Sequence, residues 1–436
     1  MQEVKERLRR IGVGLPDILI PSAGIDLEKW AVVACDQYTS ERDYWESASK
    51  LVGNAPSTLR LIFPECYLED PDPQKRIADI NKAMQEYIDR DIFTAYKDSF
   101  FLVHRTTGEG PGRWGLIVAL DLDKYDYAKD SRSLIRATEG TILSRIPPRK
   151  EIRKNAPLEL PHIMVLISDE KRSLIEALAA RKDSLQVAYD TPLMKNGGHL
   201  TAWVVNGTAE LDLVADALQA MYDALDPRNP LLFAMGDGNH SFATAKSCWE
   251  DIKKTLNDEE RKTHPARYAL VELENIFDPG LEFEPIHRVL FNTAKPDFLN
   301  AVSRCCASYE TCPVKSVEEL LDRVNEAGGQ RFGYCDESGL TLFILTKPCA
   351  SIAAGTLQIV IDELLAAGKT NVDYIHGVDV TCSLGRQAGN IGLLLPAVSK
   401  DTFFDTIIAD NALPRKTFSM GEAHEKRYYM EARKIR

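Results

Sequence analysis

Five consecutive residues, Asp237-Gly238-Asn239-His240-Ser241, place a carboxylate, an amide, an imidazole and a hydroxyl within one turn of chain. Carboxylate and imidazole can carry a proton, and a carboxylate is a common ligand for Mg²⁺ beside phosphates. Gly238 tolerates the positive φ of a sharp turn. What positions these groups is legible on either side. Leu231 to Met235 is an apolar run suited to a buried strand, while Phe242, Ala245 and Trp249 recur at helical spacing. The stretch from Leu231 to Glu250 therefore reads as strand, turn and helix, with Ser241 as the helix cap and Asp237 and His240 facing a cleft. A helix N-terminus offers unpaired N–H groups and partial positive charge, which suits a phosphate or carboxylate. Glycine turns of this kind also join strands to helices for structural reasons alone.

The turn itself carries no arginine or lysine, and the chain as a whole has a net charge of -12. A phosphate would need positive charge from elsewhere. Two distant segments are candidates, His287-Arg288 and Arg415-Lys416, and both are expected to converge on the turn. A third source is the basic stretch from Ser131 to Asn155, in which Arg132, Arg136, Arg145, Arg149, Lys150, Arg153 and Lys154 are opposed by Glu139 and Glu151. A solvated helix face is the ordinary reading of such a run. His240 and His287 lack the compact spacing of a two-histidine metal motif, and neither Cys35 nor Cys248 has a base nearby in sequence.

The elements that must hold these groups mix strands and helices. Strands are expected at Trp30–Ala34, Leu59–Phe63, Phe100–His104, Trp114–Leu120, His162–Ile167, Leu200–Val205 and Leu340–Leu345, with a Gly/Pro loop at 108–112. Helices are expected from Thr39 or Ser40 through Trp45, over Pro73–Ile92, Lys171–Arg181, Glu210–Ala224 and Leu357–Ala367, and through most of Pro296–Gly339. The pattern predicts a mixed α/β fold with a central mixed sheet and flanking helices. Three segments are expected: an α+β region at 1–155, an α/β core at 156–300, and an α/β region at 301–436 ending in a docked basic tail.

With 436 residues, 44% of them hydrophobic and 27% charged, the chain can bury a sizeable core. Its acidity argues against a nucleic-acid or anionic-membrane binder, and no apolar run approaches the roughly 20 residues of a membrane span. Nine cysteines without regular spacing fit reduced thiols, Cys305, Cys306 and Cys312 do not match a zinc site, and a cytoplasmic location is expected.

Four separated stretches resemble one family. Asp237-Gly238-Asn239-His240-Ser241 through Ala245 resembles the Asp-Gly-His-His-Arg-Tyr-Glu-Thr-Ala signature of the bacterial and archaeal domain of unknown function 1015. Asp278-Pro279-Gly280-Leu281 with Pro285-Ile286-His287-Arg288 is similar to that family's Asp-Pro-Gly-Leu and Pro-Thr-His-Arg. Leu413 to Phe418 resembles its C-terminal Met-Pro-Pro-Lys-Ser-Thr, and Ala31 to Tyr38 with Arg60 to Pro64 resembles its start. The Asp-Gly-x-His core is similar in turn to the phosphate motif of ParB and sulfiredoxin-like nucleotide-binding domains, a superfamily that includes a free serine kinase. That resemblance implies a nucleotide and a ParB/sulfiredoxin-like core. Asn239 stands at the family's first histidine and Ser241 at its arginine, so the missing phosphate contact would have to come from Arg288, Arg149 or Lys416.

Together these features point to an enzyme acting on a phosphorylated small molecule, by nucleotide-dependent phosphotransfer or by phosphoester hydrolysis. Asp237 and His240 would be catalytic, with Asp237 the general base or a Mg²⁺ ligand. Gly238, Asn239, Ser241, His287, Arg288, Arg149, Arg415 and Lys416 would bind the ligand. The alternative is a non-catalytic nucleotide- or metabolite-binding protein.

Overall fold

Residue alternation explains the main sheet. In Phe100–Thr106 the side chains of Phe100 and Leu102 enter one apolar core, and those of Phe101 and Val103 enter another on the opposite face. Arg113–Asp121 repeats the division, with Leu116, Val118 and Leu120 on the first side and Ile117 and Ala119 on the second. A period of two therefore sorts each strand between two layers, and a sheet buried on both faces results.

The computed structural model describes residues 1–108, 110–128 and 130–436; residue 109 of the expected 108–112 loop lies outside the described residues. The chain divides into two units, Met1–Leu281 with Gly421–Arg436, and Glu282–Met420. In the first, the strands run in the order Gln186–Leu193, Gly198–Val205, Phe100–Thr106, Arg113–Asp121, Tyr268–Asn275, Met164–Ile167, Phe233–Asp237, Ile135–Arg136 and Tyr125–Asp126, with Val13–Gly14 also on Arg113–Asp121. The pairing is antiparallel as far as Tyr268–Asn275, and after it Met164–Ile167 is parallel to that strand and antiparallel to Phe233–Asp237. This is a mixed sheet in a mixed α/β fold. It takes strands from both sides of residue 155, where the three-segment expectation placed a boundary.

Helices Thr208–Asp223 and Asn239–Lys253 cover the first face through Leu211, Val214, Leu218, Phe242, Ala245 and Trp249. The second face is covered by Arg42–Val52 and Pro73–Asp89, and by Tyr428, Tyr429 and Met430 of the chain's end. Pro73 opens its helix at the first position, where its missing N–H costs nothing, and Asp72 caps it. Tyr428, Tyr429 and Met430 are all buried.

The second unit is a six-stranded sheet in the order Cys306–Val314, Gly339–Pro348, Gln330–Asp336, Ile391–Leu394, His287–Phe291 and Asn371–Ile375, antiparallel throughout. Helices Lys295–Cys305 and Ala353–Ala366 pack on it through Phe298, Val302, Leu357 and Ile361. Among the described residues no helix is long and apolar enough to cross a membrane.

Three expectations of local structure are overturned. Trp30–Ala34 is not a strand: Asp26 accepts the Lys29 N–H and starts the short helix Leu27–Trp30, after which Val33 makes a single bridge to Tyr428. Leu59–Phe63 is not a strand either. Ser57 caps the 3-10 turn Thr58–Arg60, and Thr58 donates its hydroxyl to the Trp30 carbonyl at 2.7 Å, so side-chain hydroxyls take the backbone partners that a ladder would need. Pro296–Gly339 contains the strands Cys306–Val314 and Gln330–Asp336 beside its two helices. Both pair with Gly339–Pro348, a long-range contact that outweighs local helix preference.

Candidate functional site

The apolar residues Phe233, Ala234 and Met235 bury the strand, and its last residue, Asp237, emerges half-buried at the sheet's end. Gly238 then takes φ +78° and becomes the N-cap of the helix Asn239–Lys253. A side chain here would be strained, and its Cβ would stand 3.1 Å from the Ile163 Cα. The strand, turn and helix are thus where the residue pattern put them. The cap is not: Gly238 fills that position without a side-chain bond, and Ser241 lies in the helix's first turn. The backbone already bends at glycine, so no hydroxyl cap is required.

Asp237 has two partners. One carboxylate oxygen accepts the Gly238 N–H at 2.8 Å, and the other meets the Lys426 ammonium at 3.1 Å. Burial pushes this carboxyl up, but Lys426, the Gly238 N–H and His162 outweigh it and hold the group below the usual carboxylate range. Asn239 contributes a buried Oδ1 with no hydrogen-bond partner among the described residues. His240 accepts the Ile142 N–H through Nε2 at 3.2 Å, which ties the loop after Ile135–Arg136 to the turn. That bond leaves Nε2 without a proton.

Ser241 points to a histidine that the sequence reading passed over. Its Oγ is 2.8 Å from His162 Nε2, and His162 Nδ1 is 2.8 Å from the Tyr429 hydroxyl, which accepts the Cys35 N–H at 3.1 Å. Asp36 approaches His162 Nε2 at 3.7 Å. Burial pushes the Tyr429 phenol far up, so it stays protonated. The Cys35 thiol is also pushed up, by burial and then by Asp36 and Glu65, and the Cys248 thiol by burial, so neither is an activated nucleophile.

The last residues of the chain supply most of what the sequence reading missed. Lys426, 9% exposed, brings the cation that the turn lacks. Next to it, Arg427 is held between Glu272 at 2.7 Å, Glu431 and the Pro161 carbonyl at 2.9 Å, which fixes the backbone that delivers Lys426. Glu274 lies 2.7 Å from Arg113. Burial raises its carboxyl to about 8; Arg113 and Lys426 oppose the rise, and Glu272 and Asp278 add to it. The surplus of basic residues at the C-terminus was the only signal of this role in the sequence.

The basic stretch from Ser131 to Asn155 is largely occupied by its own partners. Arg136 is buried and donates to the Pro230 carbonyl, Arg153 pairs with Glu159, Lys150 with Asp251 and Lys154 with Glu151. Arg149 pairs with Glu65 through Nε at 2.9 Å and a second contact, and it shares a cavity wall with His162 and Ser241.

The remaining candidates belong to the second unit. His287 is buried and accepts the Leu395 N–H through Nδ1 at 3.1 Å. Burial, followed by Arg288 and His376, lowers its imidazole to about 4. Arg288 is fully buried, donates to the carbonyls of Ile286 and Arg415, and lies over the Tyr374 ring. Arg415 and Lys416 are exposed, with Lys416 at φ +58°.

The model of a family described as "Protein of unknown function (DUF1015)" matches residues 19–371. No curated protein matches the chain. Among solved structures, a conserved hypothetical protein from Pyrococcus furiosus is similar at 10% identity and a TM-score of 0.34, over 72% of this chain and 90% of its own. A free serine kinase in complex with AMP is similar at 10% identity and a TM-score of 0.38, over 73% and 92%. SbnI from Staphylococcus aureus, with a C-terminal truncation, is similar at 10% identity and 0.34, over 70% and 81%.

Proposed function

The chain belongs to the DUF1015 family, and on that premise we propose that it is an enzyme acting on a phosphorylated small molecule, by phosphoryl transfer from a nucleotide or by hydrolysis, at the turn from Asp237 to Ser241. One observation carries this reading: the Asp237–Lys426 ion pair at the head of the helix Asn239–Lys253. Phosphoryl transfer asks a protein mainly for position and positive charge. The first N–H groups of the helix have no intrahelical acceptor, and with the partial positive charge of the helix head they suit a phosphate oxygen. Lys426 takes the place of the arginine that Ser241 replaces.

Asp237, held ionised by Lys426, is better suited to orienting a nucleophile or holding Mg²⁺ than to acting as a strong base. One carboxylate with substrate phosphates is a usual Mg²⁺ set, and the ion would neutralise phosphoryl charge there. His240, held in place by the Ile142 N–H on its Nε2, would stand beside the phosphate.

Thermal shift against nucleotides and phosphorylated metabolites, with and without Mg²⁺, tests the reading. A ligand at about 100 times its dissociation constant adds roughly 2.7 kcal/mol of stability. Asp237→Asn should then abolish turnover and leave binding largely intact. Binding without any turnover in the unaltered protein would make it a non-catalytic binder, and no binding of any phosphorylated compound would end the proposal.

A further inference from the structure

The second apolar face of the first unit is not filled. Between Pro73–Asp89, Ile146–Arg153 and the sheet lies a cavity of about 140 Å³, walled by Leu61, Phe63, Met84, Leu158, Ile163 and Leu270. Its polar lining includes Cys35, Glu65, Arg149, His162, Ser241 and Tyr429. Most of these groups are already engaged with one another: Arg149 with Glu65, and Tyr429 with His162 and the Cys35 N–H. They offer little to a second charged group in the cavity. Ser241 is different. A hydroxyl has one donor and two acceptor positions, and the hydrogen bond to His162 uses one of these.

Ser241 also belongs to the helix that begins at Asn239, so the cavity wall and the helix N-terminus are two residues, about 3 Å of rise, apart. A phosphate on the turn and a carbon body in the cavity would lie at the same end of this helix, with Ser241 on the cavity side. An engineered cavity of about 150 Å³ lined by Leu, Ile and Phe takes up benzene. The space here is of that size.

Resting on the phosphate reading above, we propose that the substrate is amphipathic: a phosphate ester of a small aryl or branched alkyl alcohol, whose carbon body of about six carbons occupies this cavity beside Ser241. The cavity is too small for a nucleotide base with its sugar, so it serves the acceptor or ester side of the reaction and leaves any nucleotide outside it.

Calorimetry with inorganic phosphate, phenyl phosphate and naphthyl phosphate, and NMR titration with benzene, test this on the full chain. Phenyl phosphate should bind about tenfold or more tighter than inorganic phosphate, because the ring leaves water. Naphthyl phosphate should lose that advantage. Ala156→Phe, which fills the cavity from its wall, should bring phenyl phosphate down to the affinity of inorganic phosphate and abolish benzene binding. The wild-type comparison of ring sizes keeps the test valid if that variant fails to fold. Equal affinity for phosphate with and without the ring overturns the amphipathic substrate and leaves the phosphate reading standing. Benzene binding without binding of any phosphate compound overturns the phosphate reading instead, and the substrate proposal with it.

Discussion

The turn around His240 and the strand segment around His287 hold similar side chains. In each, a histidine accepts a backbone N–H, from Ile142 at 3.2 Å and from Leu395 at 3.1 Å, and in each a cation is close by. The cations are used differently. Arg288 is fully buried and its guanidinium is directed at the carbonyls of Ile286 and Arg415, whereas Lys426 meets a half-buried carboxylate at a helix N-terminus. The first arrangement holds a fold together. The second, on the function proposed above, keeps a charge where a ligand would exchange for it. Residue types that read alike in sequence are separated by the capacity they have left after folding.

The largest expected effect breaks this comparison in stability. Arg288→Ala should cost about 3 kcal/mol, since it leaves a void and buried carbonyls without donors, and should leave phosphate affinity unchanged. Urea unfolding beside calorimetry reads both. A loss of affinity without a loss of stability would reverse the roles assigned to the two regions.

Acidification sharpens it next. The folded-state pKa of His287, about 4, is below its unfolded value, so stability is fully present above pH 6.5 and is lost as pH falls from there toward 4. Between pH 7 and pH 5 the loss should be about 2 kcal/mol, and His287→Asn should flatten the slope. Glu274 has the opposite sign. Its carboxyl is raised to about 8, so its contribution is full below the ordinary glutamate pKa and falls as pH rises toward 8. Glu274→Gln should therefore gain stability relative to the parent at alkaline pH. Parallel pH profiles for the parent and both variants would refute the two assignments.

At the turn, Lys426→Met should weaken inorganic phosphate binding about tenfold, near 1.4 kcal/mol, by removing a charge-assisted hydrogen bond. Unaltered affinity would take Lys426 out of the site. The smallest effect is expected for Gly238→Ala, which should lower stability by about 1 kcal/mol through its positive φ and the contact with Ile163. A thermal melt that shows no change would mean the turn relaxes freely.

Legibility varied along the chain for physical reasons. Pro73–Asp89 was readable because a proline start, an aspartate cap and an apolar stripe all fall within 18 residues. Leu59–Phe63 was misread because Ser57 and Thr58 hydroxyls, bonding to Trp30, decide that backbone's conformation. Arg149 was singled out for its charge, yet its main partner, Glu65, is far away in sequence. His162 drew no attention because a histidine before an apolar strand has no local signature.

Taken alone, the sequence determined the local elements whose cause is local, including the strand, glycine turn and helix that place Asp237, Asn239 and His240, and it pointed to the family. The tertiary structure decided which charges meet. Lys426 reaches Asp237, and Tyr429 reaches His162, only because the chain's end packs back on the sheet, fixed by Arg427 between Glu272 and Glu431. Burial makes an unpaired charge costly, so a partner must be found. Which partner it is depends on the path of the whole backbone, and neither periodicity nor spacing records that path.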